Sequence, residues 1–259
     1  MQTNNTRQRI AVTGATGRVG SHLVEILAQR GHDVVPIARS AGVDVVSGEG
    51  LDEALVGADT IVDAATGPSP DQEGATAFFT ASARNLLRAG ATAGAKRIVV
   101  VSIIGIDEYV GGYGAAKKAH EKAALHGPLP TAILRASQFH EFVETLTQWS
   151  TQGDTAYLPA MRTQLVAART VAETLADLAT DDTFVPGQIT EIAGPREENL
   201  VEAATRLAEA RGTGLRIVTA PESDDPDIAL MEKGGMLPGP GAILAGPTFS
   251  EWLAKNVKR

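Results

Sequence analysis

The chain has no cysteine, few aromatic residues, no basic run and no long apolar run. Without cysteine there are no disulfides and no thiol catalysis, which is compatible with a cytoplasmic home. Aromatic residues make up 4% of the 259 positions, so the core has to come from Ala, Val, Leu and Ile. Parallel sheets covered by helices are built that way. A net charge of −8 with no Lys/Arg run argues against nucleic acid or an anionic membrane as partner. Any positive charge at a ligand site must then be local. No apolar stretch approaches the ~20 residues of a membrane helix, and residues 1–9 lack the apolar core of a signal peptide. No repeat or low-complexity tract occurs, and no metal site is expected.

What is present fits an ordinary globular protein, 43% hydrophobic and 21% charged. The length suits one large α/β domain, with or without a small appendage. Its most informative stretch is Ile10-Ala11-Val12-Thr13-Gly14-Ala15-Thr16-Gly17-Arg18-Val19-Gly20. Residues 10–12 read as a buried first strand, and Val19, Leu23, Ile26 and Leu27 recur at helical spacing. A strand, a glycine turn and a helix N-terminus make an anion site. The first-turn N–H groups point outward, and the helix dipole favours a pyrophosphate. Gly14 would permit the turn, Gly17 would admit the ligand to the backbone, and Gly20 would let the helix pack on the strand.

Further along, residues 34–38 read as a second strand, with Pro36 awkward because a central strand needs its N–H. Arg39 and Ser40 follow, where a Rossmann fold reads the adenosine ribose. No acid stands there to accept from a 2′-hydroxyl, and an arginine suits the 2′-phosphate of NADP. Residues 43–46 are expected as a third strand and residues 60–65 as a fourth, ending in the small Ala64, Ala65 and Thr66. A long helix covers 71–93, and a fifth strand at 97–101 leads to Ser102. Tyr113 and Lys117 lie four apart on the next helix and so on one face. A sixth strand, 131–135, runs into Ala136, Ser137, Gln138, Phe139 and His140. This alternation predicts a doubly wound parallel sheet, an α/β Rossmann fold. The reading is a single domain over 1–259, with a dinucleotide-binding core at 8–138. Residues 139–259 form a smaller, irregular substrate-side portion, with helices expected near 170–178, 197–210 and 249–253. Residues 221–227 and 234–247 are expected as mobile loops or a lid.

With the glycine turn, Ser102, Tyr113 and Lys117 in place, the chain resembles the short-chain dehydrogenase/reductase superfamily. The segments Val12-Thr13-Gly14-Ala15-Thr16-Gly17-Arg18-Val19-Gly20 and Ser102-Ile103-Ile104-Gly105-Ile106-Asp107 are similar to its atypical, NmrA-like branch. Leu134-Arg135-Ala136-Ser137-Gln138-Phe139 and Ile192-Ala193-Gly194-Pro195 strengthen the likeness. The resemblance implies that Tyr113 donates a proton to a substrate carbonyl and that Ser102 orients the substrate oxygen. It implies that Lys117 holds the nicotinamide ribose and lowers the tyrosine pKa. Asn85 falls roughly where the superfamily has a helix asparagine, and equally reads as a surface polar residue. Ala136, Ser137, Gln138 and Phe139 would flank the nicotinamide, and Thr13, Gly14, Thr16, Gly17, Arg18, Val19, Gly20, Arg39, Ser40, Ala64, Ala65 and Thr66 the rest of the cofactor. His140 is read as facing water.

Two features depart from the pattern. Ser102 and Tyr113 are 11 residues apart, slightly short, with Tyr109 in the loop between them. The Gly48-Glu49-Gly50 segment is abbreviated where relatives touch adenine. The expected function is NADP(H)-dependent reduction of a small carbonyl, quinone or related electrophile. The alternative is a non-catalytic NADP(H)-binding sensor. The sequence identifies neither the substrate nor the oligomeric state.

Overall fold

The computed structural model describes residues 7–257. The signal-peptide reading of residues 1–6, and the ends of the 1–259 domain expectation, lie outside them. Strand and helix alternate through β1 (Arg9–Thr13), α1 (Arg18–Gln29), β2 (Asp33–Ile37), α2 (Leu51–Ala54), β3 (Thr60–Asp63), α3 (Gln72–Ala93), β4 (Arg97–Ile103), α4 (Gly112–Leu125) and β5 (Thr131–Ala136). The chain continues through α5 (Phe142–Trp149), β6 (Thr151–Gln152), β7 (Thr155–Leu158), β8 (Arg162–Thr163), α6 (Ala168–Thr180), β9 (Ile189–Ala193) and β10 (Glu198–Asn199). It ends with α7 (Leu200–Arg211), β11 (Arg216–Thr219), α8 (Pro226–Glu232), β12 (Ile243–Leu244) and α9 (Phe249–Asn256).

Seven strands in the order β12-β9-β5-β4-β3-β1-β2 form a parallel sheet flanked by helices, the doubly wound α/β fold that the sequence predicts. Every residue of β3 and β5 is buried, which is why both read as unbroken runs rather than alternating ones. β1 sits between β2 and β3. The chain therefore steps one way from β1 to β2, then returns to the other side for β3. That reversal puts the topological switch point at the carboxyl end of β1, where open α/β sheets bind ligands.

Two sequence expectations are corrected here. Pro36 pairs with Val12 in β2, but β2 closes the sheet, so the missing N–H faces no further strand. Residues 43–46 are not a strand. The Asp44 carboxylate accepts from the Val46 and Ser47 N–H groups, and that side-chain turn displaces a ladder. Val43 and Val45 still pack against the core beside α2.

The chain divides into two compact units. The first comprises Met1–Ser102, Gly112–Leu134 and Val171–Ile189. Its core joins Ala11, Ile37, Leu51, Ile61, Leu86, Ile98 and Ile133, and a satellite cluster joins Ala75, Phe79 and Ala116 with Phe78 and Tyr113. The second comprises Ile103–Gly111, Arg135–Thr170 and Thr190–Arg259. Its core is Tyr109, Val143, Leu158, Leu165, Leu200, Leu207, Met236 and Phe249.

The helix expected near 170–178 starts earlier, at Ala168, and Thr170 is not its cap. The Glu141 carboxylate takes that role, accepting from the Ala168 N–H at 3.1 Å. Of the two stretches expected as mobile loops or a lid, residues 221–225 and most of 234–247 do lie outside helix and strand, but both are tied to other elements. Asp225 caps α8, and Asp227 accepts from the N–H groups of Val110 and Gly111, both at 3.0 Å. Ile243 and Leu244 pair with β9.

Candidate functional site

The site begins at the glycine turn between β1 and α1. Gly14 has φ +63°, and a Cβ there would lie 2.5 Å from the Ala64 carbonyl oxygen. Only glycine allows both the backbone conformation and that approach of the β1 and β3 ends. At Gly20 a Cβ would collide with the Gly14 carbonyl. Gly20 thus lets α1 pack on the turn itself, whereas the sequence suggests packing on the strand. Gly17 differs from both. It is exposed, and a Cβ there would meet just the Gly14 oxygen, at 3.1 Å. It is also the N-cap of α1 and offers no side-chain cap. The helix presents its first-turn N–H groups beside Thr16 and Arg18, which are exposed, while Val19 is buried. These residues fit a pyrophosphate: a bare helix N-terminus, open on the Gly17 side.

Two more strand ends meet this turn. Arg39 and Ser40 lie exposed in a 3-10 turn, Arg39–Ala41, directly after β2. Ala64, Ala65 and Thr66 follow β3, with Thr66 exposed. The switch point therefore brings together the residues from Thr13 to Gly20, Arg39 with Ser40, and Ala64 with Ala65 and Thr66. Asn85 does not join them. Its side-chain amide donates to the Val45 and Val46 carbonyls, at 3.1 and 2.7 Å, and pins the turn that replaces the expected strand.

Tyr113 and Lys117 are on α4, as expected, but their polar atoms have different partners. The Tyr113 hydroxyl is 3.1 Å from Thr66 Oγ1, and its ring meets Phe79 edge-on at 5.7 Å. Burial raises the Tyr113 pKa, against a smaller lowering by the Thr66 bond. Lys117 is buried, donating to the Val101 carbonyl at 2.7 Å and lying 3.0 Å from His120 Nδ1. Its Nζ stands 4.2 Å above the centre of the Phe79 ring. Burial depresses this ammonium to about 8, although Asp63 and Glu121 oppose the shift. Ser102 lies within β4, fully buried, and its Oγ has no hydrogen-bond partner among the described residues.

Sequence reasoning passed over Asp63 and His120. His120 Nε2 is 3.1 Å from Asp63 Oδ2, and both side chains are almost wholly buried. Asp63 Oδ1 also accepts from Thr13 Oγ1 at 2.6 Å and from the Ala65 N–H at 3.2 Å. Burial alone would raise the Asp63 carboxyl, but the bonds from His120 and Thr13 hold it below the usual range. Burial and the Lys117 charge lower the His120 imidazole. The available signal was spacing: His120 follows Lys117 by three positions, and Asp63 is an acid ending an apolar strand.

Ala136, Ser137, Gln138 and Phe139 belong to the second unit, Ala136 as the last residue of β5. Ala136 is fully buried, and the Ser137 N–H donates to the Ile192 carbonyl at 2.9 Å. Gln138 accepts from the Val166 N–H at 3.0 Å, and Phe139 bridges Val166. His140, expected to face water, is instead buried; its Nε2 lies 3.1 Å from the Pro247 carbonyl and its ring packs on Phe249 and Trp252. Tyr109 is buried too, donating to Met236 Sδ at 2.8 Å. Among the described residues no cluster of His, Asp or Glu is placed to hold a metal ion, and no helix is long and apolar enough to cross a membrane.

Comparisons with known proteins bear on the family and the fold. The family pattern described as NAD(P)H-binding matches residues 14–182. The chain is 28% identical to the ceramide reductase of Caulobacter vibrioides, over 94% of this chain and 78% of that one. Among solved structures it is similar to MoeE5 in complex with UDP-glucose and NAD, with a TM-score of 0.70 and 20% identity over 96% and 97% of the two chains. It is similar also to dTDP-4-dehydrorhamnose reductase from Bacillus anthracis in complex with NADP, with a TM-score of 0.66 and 17% identity over 98% of each chain.

Proposed function

The chain belongs to the NAD(P)H-binding family, and on that premise we propose that it is an atypical short-chain dehydrogenase/reductase, an NADPH-dependent reductase of a small carbonyl, quinone or related electrophile. The observation that carries the proposal is the switch point. A glycine turn with a bare helix N-terminus, an arginine after β2 and small residues after β3 converge there.

In this reading Thr13, Gly14, Thr16, Gly17, Arg18, Val19 and Gly20 hold the pyrophosphate by backbone N–H groups. Arg39 and Ser40 take the 2′-phosphate, and the small Ala64, Ala65 and Thr66 leave room for the cofactor over the strand ends. When bound, the nicotinamide supplies the hydride. Tyr113 supplies the proton to the developing alkoxide, and Thr66, at 3.1 Å, is placed to resupply its hydroxyl. The unpartnered Ser102 hydroxyl orients the substrate oxygen. Lys117 supplies positive charge to the bound cofactor.

The ceramide reductase likeness supports a reductase; its substrate is that protein's own. Turnover of NADPH against a panel of ketones, enones and quinones tests the proposal. Oxidation of NADPH that depends on one substrate class supports it. Tight NADPH binding with no turnover across the panel would favour a non-catalytic sensor.

A further inference from the structure

His120 lies inside the fold, beyond the residues that the cofactor reading uses, yet every polar atom of its ring is committed. Nε2 faces Asp63 Oδ2 at 3.1 Å, and Nδ1 faces Lys117 Nζ at 3.0 Å. One arrangement of hydrogens satisfies this chain. The Lys117 ammonium donates to Nδ1 and to the Val101 carbonyl, the ring N–H sits on Nε2, and Asp63 accepts as a carboxylate. Asp63 can then accept from Thr13 and Ala65 as well, so one carboxylate ties the β1 end, the β3 end and α4 together. Phe79 fixes the ring plane, stacking on His120 at 4.7 Å and 17° while its face lies under Lys117. Lys117 cannot swing away without uncovering this arrangement.

We propose that His120, oriented by Asp63, is a positioning residue that holds the Lys117 ammonium against the Val101 carbonyl, so that bound dinucleotide meets Lys117 as a fixed cation. The inference rests on the cofactor reading above and adds to it a residue that acts through Lys117. The groups facing Lys117 are Asp63 from β3, His120 and Glu121 from α4, the Val101 carbonyl from β4 and the Phe79 ring from α3. Asp63 and Glu121 favour its charged form, and burial opposes it.

The first test needs no cofactor. Nitrogen NMR of histidine-labelled protein should show His120 as the Nε2–H tautomer at pH 7, with Nδ1 unprotonated. An Nδ1–H tautomer or an imidazolium at that pH would overturn the inference. The second test is NADPH binding by calorimetry between pH 7 and 9. Affinity should fall as pH passes about 8, where Lys117 loses its proton. Asp63→Asn should move that midpoint lower, because Asp63 favours the cation; an unmoved midpoint counts against the proposal. His120→Leu should weaken NADPH about tenfold at pH 7, the scale of one charge-assisted hydrogen bond. His120→Gln, which keeps a donor toward Asp63, should recover most of the loss. Equal affinity of His120→Leu and wild type overturns the inference, and if the leucine variant does not fold, the tautomer and the pH midpoint decide. A wild type that binds no NADPH at any pH refutes the cofactor reading instead, and leaves the tautomer test to judge His120.

Discussion

Asp63 and His120 stand 57 residues apart in the chain and 3.1 Å apart in the fold, with both side chains 1% exposed. That pair sits next to a buried ammonium, Lys117, whose pKa burial depresses to about 8.

A stability prediction follows from the sign of that shift. The folded chain sheds the Lys117 proton near pH 8, while the unfolded chain keeps it to about 10.5. Between those values the unfolded state binds the extra proton, so stability rises with pH. The full effect is on the order of 3 kcal/mol across the window. Lys117→Met should abolish this rise. Denaturant melts of both proteins from pH 8 to about 9.5 read it before the tyrosines titrate. Parallel curves would show that Lys117 is not the buried cation described.

The imidazole makes a second, separable prediction. Its pKa is lowered from 6.5, so below that value the unfolded chain takes up a proton that the folded chain refuses. Stability should fall as pH drops from about 6.5 toward 5, and fall less steeply in His120→Gln. Identical slopes for the two proteins between pH 6.5 and 5 would contradict the assignment.

What the sequence discloses tracks how local the physics is. The glycine turn is legible because Gly14, Gly17 and Gly20 answer to one strand, one turn and one helix. The Tyr113–Lys117 helix is legible for the same reason. Residues 43–46 mislead because Val43, Val45 and Val46 suggest a strand, whereas Asp44 and the amide of Asn85, 40 residues away, settle a turn. Likewise Pro36 is awkward in a strand until the sheet order makes β2 an edge. The Asp63–His120 pair depends on β3 and α4 coming together, and the 221–227 stretch reads as a free loop because Asp227 has the distant N–H groups of Val110 and Gly111 as partners.

For catalysis the informative variant is Tyr113→Phe. The ring keeps its edge-on contact with Phe79, and what is lost is the hydroxyl beside Thr66. NADPH binding should survive, while carbonyl reduction should slow by about 10²–10⁴-fold, the usual worth of a positioned general acid. A quinone is the comparison substrate, since it can draw its proton from water. Carbonyl reduction at the wild-type rate would make Tyr113 structural.

The proposed preference for NADPH rests on Arg39, exposed immediately after β2 with no acid at the flanking positions Ala38 and Ser40. A charge-assisted contact to the 2′-phosphate is worth about 1.5–3 kcal/mol, roughly ten- to a hundredfold in affinity. Arg39→Asp should therefore lose NADPH affinity by that factor and spare or improve NADH. Calorimetric titration of both cofactors checks it. Equal affinities in the wild type would assign Arg39 to the solvent.

The central claim is that the Gly14–Gly20 turn holds the dinucleotide, and the most direct measurement is calorimetric titration of wild type and Gly17→Val with NADPH, side by side. Valine suits the extended backbone at Gly17, φ −81° and ψ 177°, so the variant should fold with an unchanged circular dichroism spectrum. Its branched side chain would stand where the pyrophosphate approaches α1. The expected result is one NADPH bound per wild-type chain and at least about tenfold weaker binding in the variant. A folded Gly17→Val chain that binds NADPH as tightly as wild type would contradict the account and move the site elsewhere.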